Sequence, residues 1–125
     1  MVWGYHLIAN LRKCQGNKSI FSGKHNLKYS IKDLNKIIDN IVDVIDANKY
    51  GPLVIEHFGE DQKISGISMY QLIETSNINA HMVDFNKNIY LDVFSCKKYN
   101  PKDVERILIK EFKPMEYDFK FLERI

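Results

Sequence analysis

Serine, histidine and cysteine carry the chemistry open to this chain, and their spacing alone matches no standard catalytic or metal-binding pattern. His6, His25, His57 and His81 stand apart from one another. No thiol or carboxylate pattern accompanies them, so each taken singly reads as a surface or satisfied core histidine rather than a ligand. No metal is expected. Cys14 and Cys96 are too few for a disulfide framework, and without a secretory signal they read as reduced thiols in a cytosol. There is no Gly-rich phosphate loop, no His-Glu-x-x-His and no nucleophile-elbow serine. Judged one at a time, Ser68 is a solvent-facing strand residue and Ser76 a polar residue in a strand break. His81 is then a sheet histidine and Cys96 a small buried hydrophobe.

The elements that must position these residues follow from periodicity. Trp3 to Leu11 predicts a strand, and the polar stretch from Gln15 to Lys28 a loop. Ser30 and Asp33 have capping-box-like spacing and predict a helix start. Ile31, Leu34, Ile38, Ile41 and Ile45 then form one apolar helix face, which Gly51-Pro52 should stop. Leu53 to Phe58 is a strand, followed by a turn around Gly59-Glu60-Asp61. The strand-like run from Ile64 to Val83 is too long for one strand and should break near Thr75-Ser76. Asn86-Lys87-Asn88 predicts a turn and Ile89 to Phe94 a strand. Asn100 caps a second helix with Pro101 in its first turn and Val104, Ile107, Leu108 and Phe112 on its apolar side. Met115, Tyr117, Phe119 and Phe121 alternate with charged residues as a closing half-buried strand. Two helices cannot cover both faces of such a sheet. The expectation is therefore one α+β domain over residues 1–125, a two-layer sandwich of a mainly antiparallel sheet with both helices on one face.

Composition fits that architecture. The 125 residues are 45% hydrophobic and 27% charged, ordinary for a soluble domain whose core stands without disulfides or metals. A net charge of +2, with lysines spread along the chain, points away from nucleic acid as a partner. The apolar start lacks the basic opening and cleavage site of a signal peptide. No stretch reaches the roughly 18 apolar residues that span a bilayer. A cytoplasmic protein with no membrane partner is expected.

A family resemblance then gathers residues that spacing left scattered. Gly4-Tyr5-His6-Leu7-Ile8-Ala9-Asn10-Leu11, ending at Cys14, resembles the opening Gly-x-His-Leu-φ-Ala-acid segment of the bacterial S-adenosylmethionine decarboxylases. Gly66-Ile67-Ser68 and Leu72 through His81 are similar to that family's Gly-Val-Ser and Glu-Ser-His-φ-x-φ-His blocks. Leu91 through Cys96 matches Asp-φ-Phe-Thr-Cys, and Pro101-Lys102 through Phe112-Lys113-Pro114 matches the helix that follows. The similarity runs collinearly over nearly the whole chain.

The resemblance implies a proenzyme that cleaves itself between Thr75 and Ser76, giving a 1–75 β chain and a 76–125 α chain. Ser76 becomes a pyruvoyl cofactor that forms a Schiff base with the substrate amine. His81 and Ser68 assist the processing, and Cys96 returns a proton to the substrate α-carbon. The implied reaction is S-adenosylmethionine decarboxylation in spermidine synthesis, carried out by a homodimer with shared sites. The departures cluster beside the chemistry. Thr75 replaces the Glu before the processing serine, with Glu74 one position away, and Asn77 replaces the following His. Phe85 stands where a Glu is associated with the substrate ribose, which leaves Glu74 and Asp84 as candidate substrate-binding carboxylates. Three alternatives stay open: a substrate shifted to arginine or ornithine, an unprocessed non-catalytic homologue, and a protein that binds or cleaves S-adenosylmethionine without a pyruvoyl group.

Overall fold

The structure, a computed structural model, describes residues 1–23 and 27–125. Six strands, β1 (Gly4–Cys14), β2 (Lys49–Phe58), β3 (Gly66–Ile73), β4 (Ser76–Val83), β5 (Asn88–Ser95) and β6 (Pro114–Arg124), alternate with helices α1 (Leu27–Val44) and α2 (Pro101–Phe112). The strands form one antiparallel sheet in the order β2-β3-β4-β5-β1-β6. Both helices pack on one face of it, so the α+β two-layer sandwich is the observed fold.

Period-two alternation decides which residues meet the helices. Leu7, Ala9 and Leu11 of β1, Ile67 and Met69 of β3, Ile78, Ala80 and Met82 of β4, and Ile89, Leu91 and Val93 of β5 are buried. They meet Leu34, Ile38 and Ile41 of α1 and Val104, Leu108 and Phe112 of α2 in one core. The alternate positions, among them Ser68, Tyr70, Asn79, His81, Tyr90 and Asp92, lie on the face that no helix covers. Tyr50, Phe58, Tyr70, Leu72, Tyr90 and Leu122 are exposed on this open face.

Several boundaries differ from the periodicity reading. Ser30 is a buried residue inside α1, not its cap; its Oγ donates to the Ser19 carbonyl. The stretch read as a loop instead carries a 3-10 turn at Lys18–Phe21, with Ile20 and Phe21 buried, and the first residues of α1. Residues 24–26 of that stretch, which include His25, lie outside the described residues. Ile31 is exposed, while Ile37 and Val42 join the core. Gly51-Pro52 does not end the helix. Asp46, in a left-handed conformation at φ 55°, follows its last turn, and Gly51-Pro52 forms a bulge within β2, where the register shifts between Tyr50 and Val54. An edge strand tolerates a proline there because the missing N–H faces no partner. The break near Thr75-Ser76 is a two-residue turn, Glu74-Thr75, between β3 and β4. Asn100 caps α2 through its side chain on the Lys102 N–H, as expected.

Gly66 fixes how closely β3 lies on β4. A Cβ at this position would sit 1.8 Å from the Met82 carbonyl oxygen. No side chain can be accommodated there without moving the backbone. Gly66→Ala is expected to lower the unfolding free energy by about 1–3 kcal/mol in urea denaturation and to disturb the neighbouring Ser68–His81 pairing; unchanged stability would contradict this close approach.

Candidate active site

The β3–β4–β5 ladder places the chemistry-bearing residues in two groups. At one end of β4, Ser68 of β3 stands directly opposite His81. The Ser68 Oγ lies 2.7 Å from His81 Nδ1, and His81 Nε2 lies 2.8 Å from the Ile64 carbonyl oxygen. A carbonyl can only accept, so in the neutral imidazole Nε2 carries the proton. Nδ1 is then free to accept the Ser68 hydroxyl proton, a serine poised against a base. The pair opens into a groove of about 470 Å³ on the open face, lined also by Glu56, Phe58, Tyr70, Asn79, Tyr90 and Asp92.

At the other end lie Glu74, Thr75, Ser76 and Cys96. Ser76 begins β4 opposite Ile73 and Ser95. Its φ is 155°, a backbone region that L-residues rarely adopt, at a cost on the order of 1–3 kcal/mol. The Thr75 carbonyl just before it accepts the Cys96 N–H at 2.9 Å. That is the carbonyl a Ser76 hydroxyl would attack, and a donor already points at its oxygen. The Cys96 side chain is exposed at the same end. His81 lies five residue steps along β4 from Ser76, about 17 Å in an extended strand. One copy of the chain therefore does not bring Ser68 and His81 to Ser76.

Neither candidate carboxylate lines the groove. Glu74 is exposed in the hairpin turn, within reach of the Asn48 side-chain amide at 3.4 Å. Asp84 shares the strand parity of the helix-facing residues and pairs with His57 Nε2 at 2.6 Å. His57 Nδ1 and Asp84 Oδ1 are buried there without a hydrogen-bond partner. Sequence spacing missed a second histidine–carboxylate pair, His6 Nε2 to Asp92 at 2.8 Å on the open face. The only signal was their strand parity, which is informative once β1 is known to lie against β5. Among the described residues, no group of three or more His, Cys, Asp or Glu side chains is placed to hold a metal ion. No helix among them is long and apolar enough to cross a membrane.

A family model described as S-adenosylmethionine decarboxylase matches residues 5–125. The chain belongs to the S-adenosylmethionine decarboxylase family. No curated protein sequence matches it. Among solved structures, it is similar to the adenosylmethionine decarboxylase from Aquifex aeolicus, with a TM-score of 0.69 at 18% identity. That match covers 98% of this chain and 91% of the other. At this identity the likeness speaks for the fold, and it agrees with the α+β sandwich described above.

The two cysteines, Cys14 and Cys96, differ in environment. Burial pushes the Cys14 thiol up to about 12, whereas Cys96 is exposed. Because the thiolate is the nucleophile, iodoacetamide near neutral pH should modify Cys96 alone in the folded protein and both cysteines in denaturant, read by peptide mass. Equal labelling under native conditions would contradict this assignment. Nitrogen-15 NMR of the His81 ring at neutral charge should likewise report a protonated Nε2 and a bare Nδ1.

Proposed function

We propose that this family member is a cytoplasmic proenzyme that cleaves itself between Thr75 and Ser76 and then decarboxylates S-adenosylmethionine for spermidine synthesis. The observation that carries the reading is the Thr75–Ser76 junction, where a carbonyl held on an N–H precedes a serine with φ 155°. Attack of Ser76 Oγ on the Thr75 carbonyl carbon gathers charge on an oxygen that the Cys96 N–H already faces. Breaking the C–N bond leaves Thr75 esterified to the Ser76 oxygen and frees the Ser76 amine. A base removes the Ser76 α-proton, the Thr75 carboxylate leaves with residues 1–75, and a dehydroalanine remains at position 76. Its hydrolysis, consuming water and releasing ammonia, gives the pyruvoyl group.

The residues present fit that group: position 76 heads a strand, and the exposed Cys96 lies at the same end of the sheet. A carbonyl cofactor there accepts electrons as carbon dioxide leaves the bound substrate. Cys96 Sγ then holds the proton returned to the substrate α-carbon. Residues 1–75 hold β1, β2 and β3 and residues 76–125 hold β4, β5 and β6, so β1 lies between two strands of the other fragment. Cleaved fragments therefore stay joined as one sheet.

Ser68 and His81 assist processing in this reading, yet about 17 Å of strand separates them from Ser76. A homodimer resolves the distance. Two open faces packed about a two-fold axis would carry the Ser68–His81 pair of one copy to the end of the other's sheet where Cys96 is exposed, and would cover the exposed Tyr50, Phe58, Tyr70, Leu72, Tyr90 and Leu122.

One observation favours a second substrate. Position 85 carries an exposed phenylalanine, and the neighbouring Asp84 is engaged by His57. Neither offers a carboxylate to a ribose, which suits a simpler cationic amino acid such as arginine or ornithine. Intact-mass measurement should find the chain split between Thr75 and Ser76, with a hydroxylamine-reactive carbonyl on the downstream fragment and a single chain for Ser76→Ala. An uncleaved wild-type chain would sink the self-processing reading and favour a non-catalytic homologue. Release of labelled carbon dioxide from S-adenosylmethionine, arginine or ornithine, each carboxyl-labelled, decides the substrate.

A further inference from the structure

We propose that Ser95 is a positioning residue for the cleavage at Thr75–Ser76, tethering the Thr75 side chain so that the Thr75 carbonyl stays on the Cys96 amide. The inference rests on the self-processing reading and concerns a residue that touches none of the reacting atoms. Ser95 is 1% exposed, a polar side chain sealed at the end of β5. A buried hydroxyl must be satisfied, and its partners are specific. The Ser95 Oγ accepts the Lys97 N–H at 3.1 Å and donates its proton to Thr75 Oγ1 at 2.7 Å. The next residue, Cys96, donates its N–H to the Thr75 carbonyl at 2.9 Å. Two consecutive residues, Ser95 at the end of β5 and Cys96 just beyond it, thus grip both polar groups of Thr75 beyond its own amide: the hydroxyl and the carbonyl to be attacked.

The grip bears on the second residue of a short turn whose first, Glu74, is held separately by its N–H on the Asn48 carbonyl at 3.0 Å. Glu74 and Thr75 are the whole connection between β3 and β4, and Ser76 follows with φ 155°. The Ser95 tether fixes χ1 of Thr75 and, through it, the swing of the peptide plane between Thr75 and Ser76. Without it, that plane can rotate and the carbonyl oxygen can leave the Cys96 N–H. The donor would then no longer face the oxygen on which charge develops when Ser76 Oγ adds to the carbonyl carbon. A threonine at position 75 suits this arrangement because its hydroxyl, one bond from Cβ, reaches Ser95 with a single torsion to fix.

The test is a double-mutant cycle on freshly folded proenzyme, with cleavage followed by intact mass. Ser95→Ala and Thr75→Val should each slow cleavage by roughly 10- to 100-fold, the scale of loss from a small misplacement of reacting groups. The double variant should be no slower than the slower single one, because both remove the same bond. Thr75→Ser, which keeps the hydroxyl, should cleave within a few-fold of wild type. Wild-type cleavage in Ser95→Ala, additive losses in the double variant, or a Thr75→Ser rate as poor as Thr75→Val would each overturn the proposal. A second readout is independent of cleavage. In the uncleavable Ser76→Ala background, adding Ser95→Ala should speed hydrogen exchange at the Cys96 amide, while adding Thr75→Ser should not. If the wild-type chain never cleaves, the self-processing reading fails by itself, and unchanged Cys96 exchange separately removes the tether.

Discussion

The register of β4 between β3 and β5 is the constraint on which the rest of the molecule depends. A strand period of two leaves no latitude. Sliding β4 by one residue would carry His81 to the helix side and Met82 to the open face. The same register that buries Ile78, Ala80 and Met82 sets Ser68 opposite His81 and Ser76 opposite Ser95. Packing energy thereby fixes the chemistry. The apolar core makes a register slip costly, and the Ser68–His81 pair on the other face is held without large stabilisation of its own. Gly66 sharpens this, since only a residue without Cβ lets the β3 backbone lie so near the Met82 carbonyl.

Placing both helices on one face has a second consequence. The helix-facing positions are apolar and close-packed, while the open face mixes aromatic rings with His6, Asp92, Glu56 and His81. Histidine illustrates the division. His57 and Asp84 meet at the helix-side end of the sheet, with one polar atom of each left buried and unpartnered. His6 and Asp92, and His81 with Ser68, face the groove side. The Tyr99 hydroxyl ties the loop after β5 back to the sheet, donating to the Val93 carbonyl and accepting the Leu7 N–H. Burial raises its pKa, so it remains a protonated donor. This anchor lies three residues after Cys96 and limits how far the Cys96 backbone can drift from Thr75.

Much of the fold was legible in the sequence because its periods are strong. The α2 cap at Asn100-Pro101, the break at Thr75-Ser76 and the alternation through β5 all carry local signals. What failed was decided at a distance. Ser30 imitates a helix cap, yet α1 extends past it toward the N-terminus and the Ser30 hydroxyl donates to Ser19. Gly51-Pro52 has the composition of a helix stop, but β3 pairs on either side of it and turns it into a bulge. In the candidate site, the resemblance named Ser68, Ser76, His81 and Cys96, and spacing alone named none of them. The His6–Asp92 and Ser95–Thr75 pairs could not be read at all. His6–Asp92 joins the first strand to the fifth, an adjacency set by the whole sheet order, while Ser95–Thr75 closes the far end of the β4–β5 hairpin and depends on its register.

The conformation of Ser76 shows how such a sheet can hold a strained peptide at little risk to the fold. A φ of 155° in a free loop would relax. Here the residues on both sides are fixed, by β3 through the hairpin and by β5 through the Ser95 and Cys96 contacts. The cost is on the order of 1–3 kcal/mol, small beside a core that joins β1, β3, β4 and β5 to both helices, and it falls on one bond. Three of the five strand interfaces, β3–β4, β5–β1 and β1–β6, join residues before position 76 to residues after it. Breaking that bond would release the strain and leave those interfaces intact. A fold built this way can place a weak covalent link at the junction because its integrity does not depend on that link.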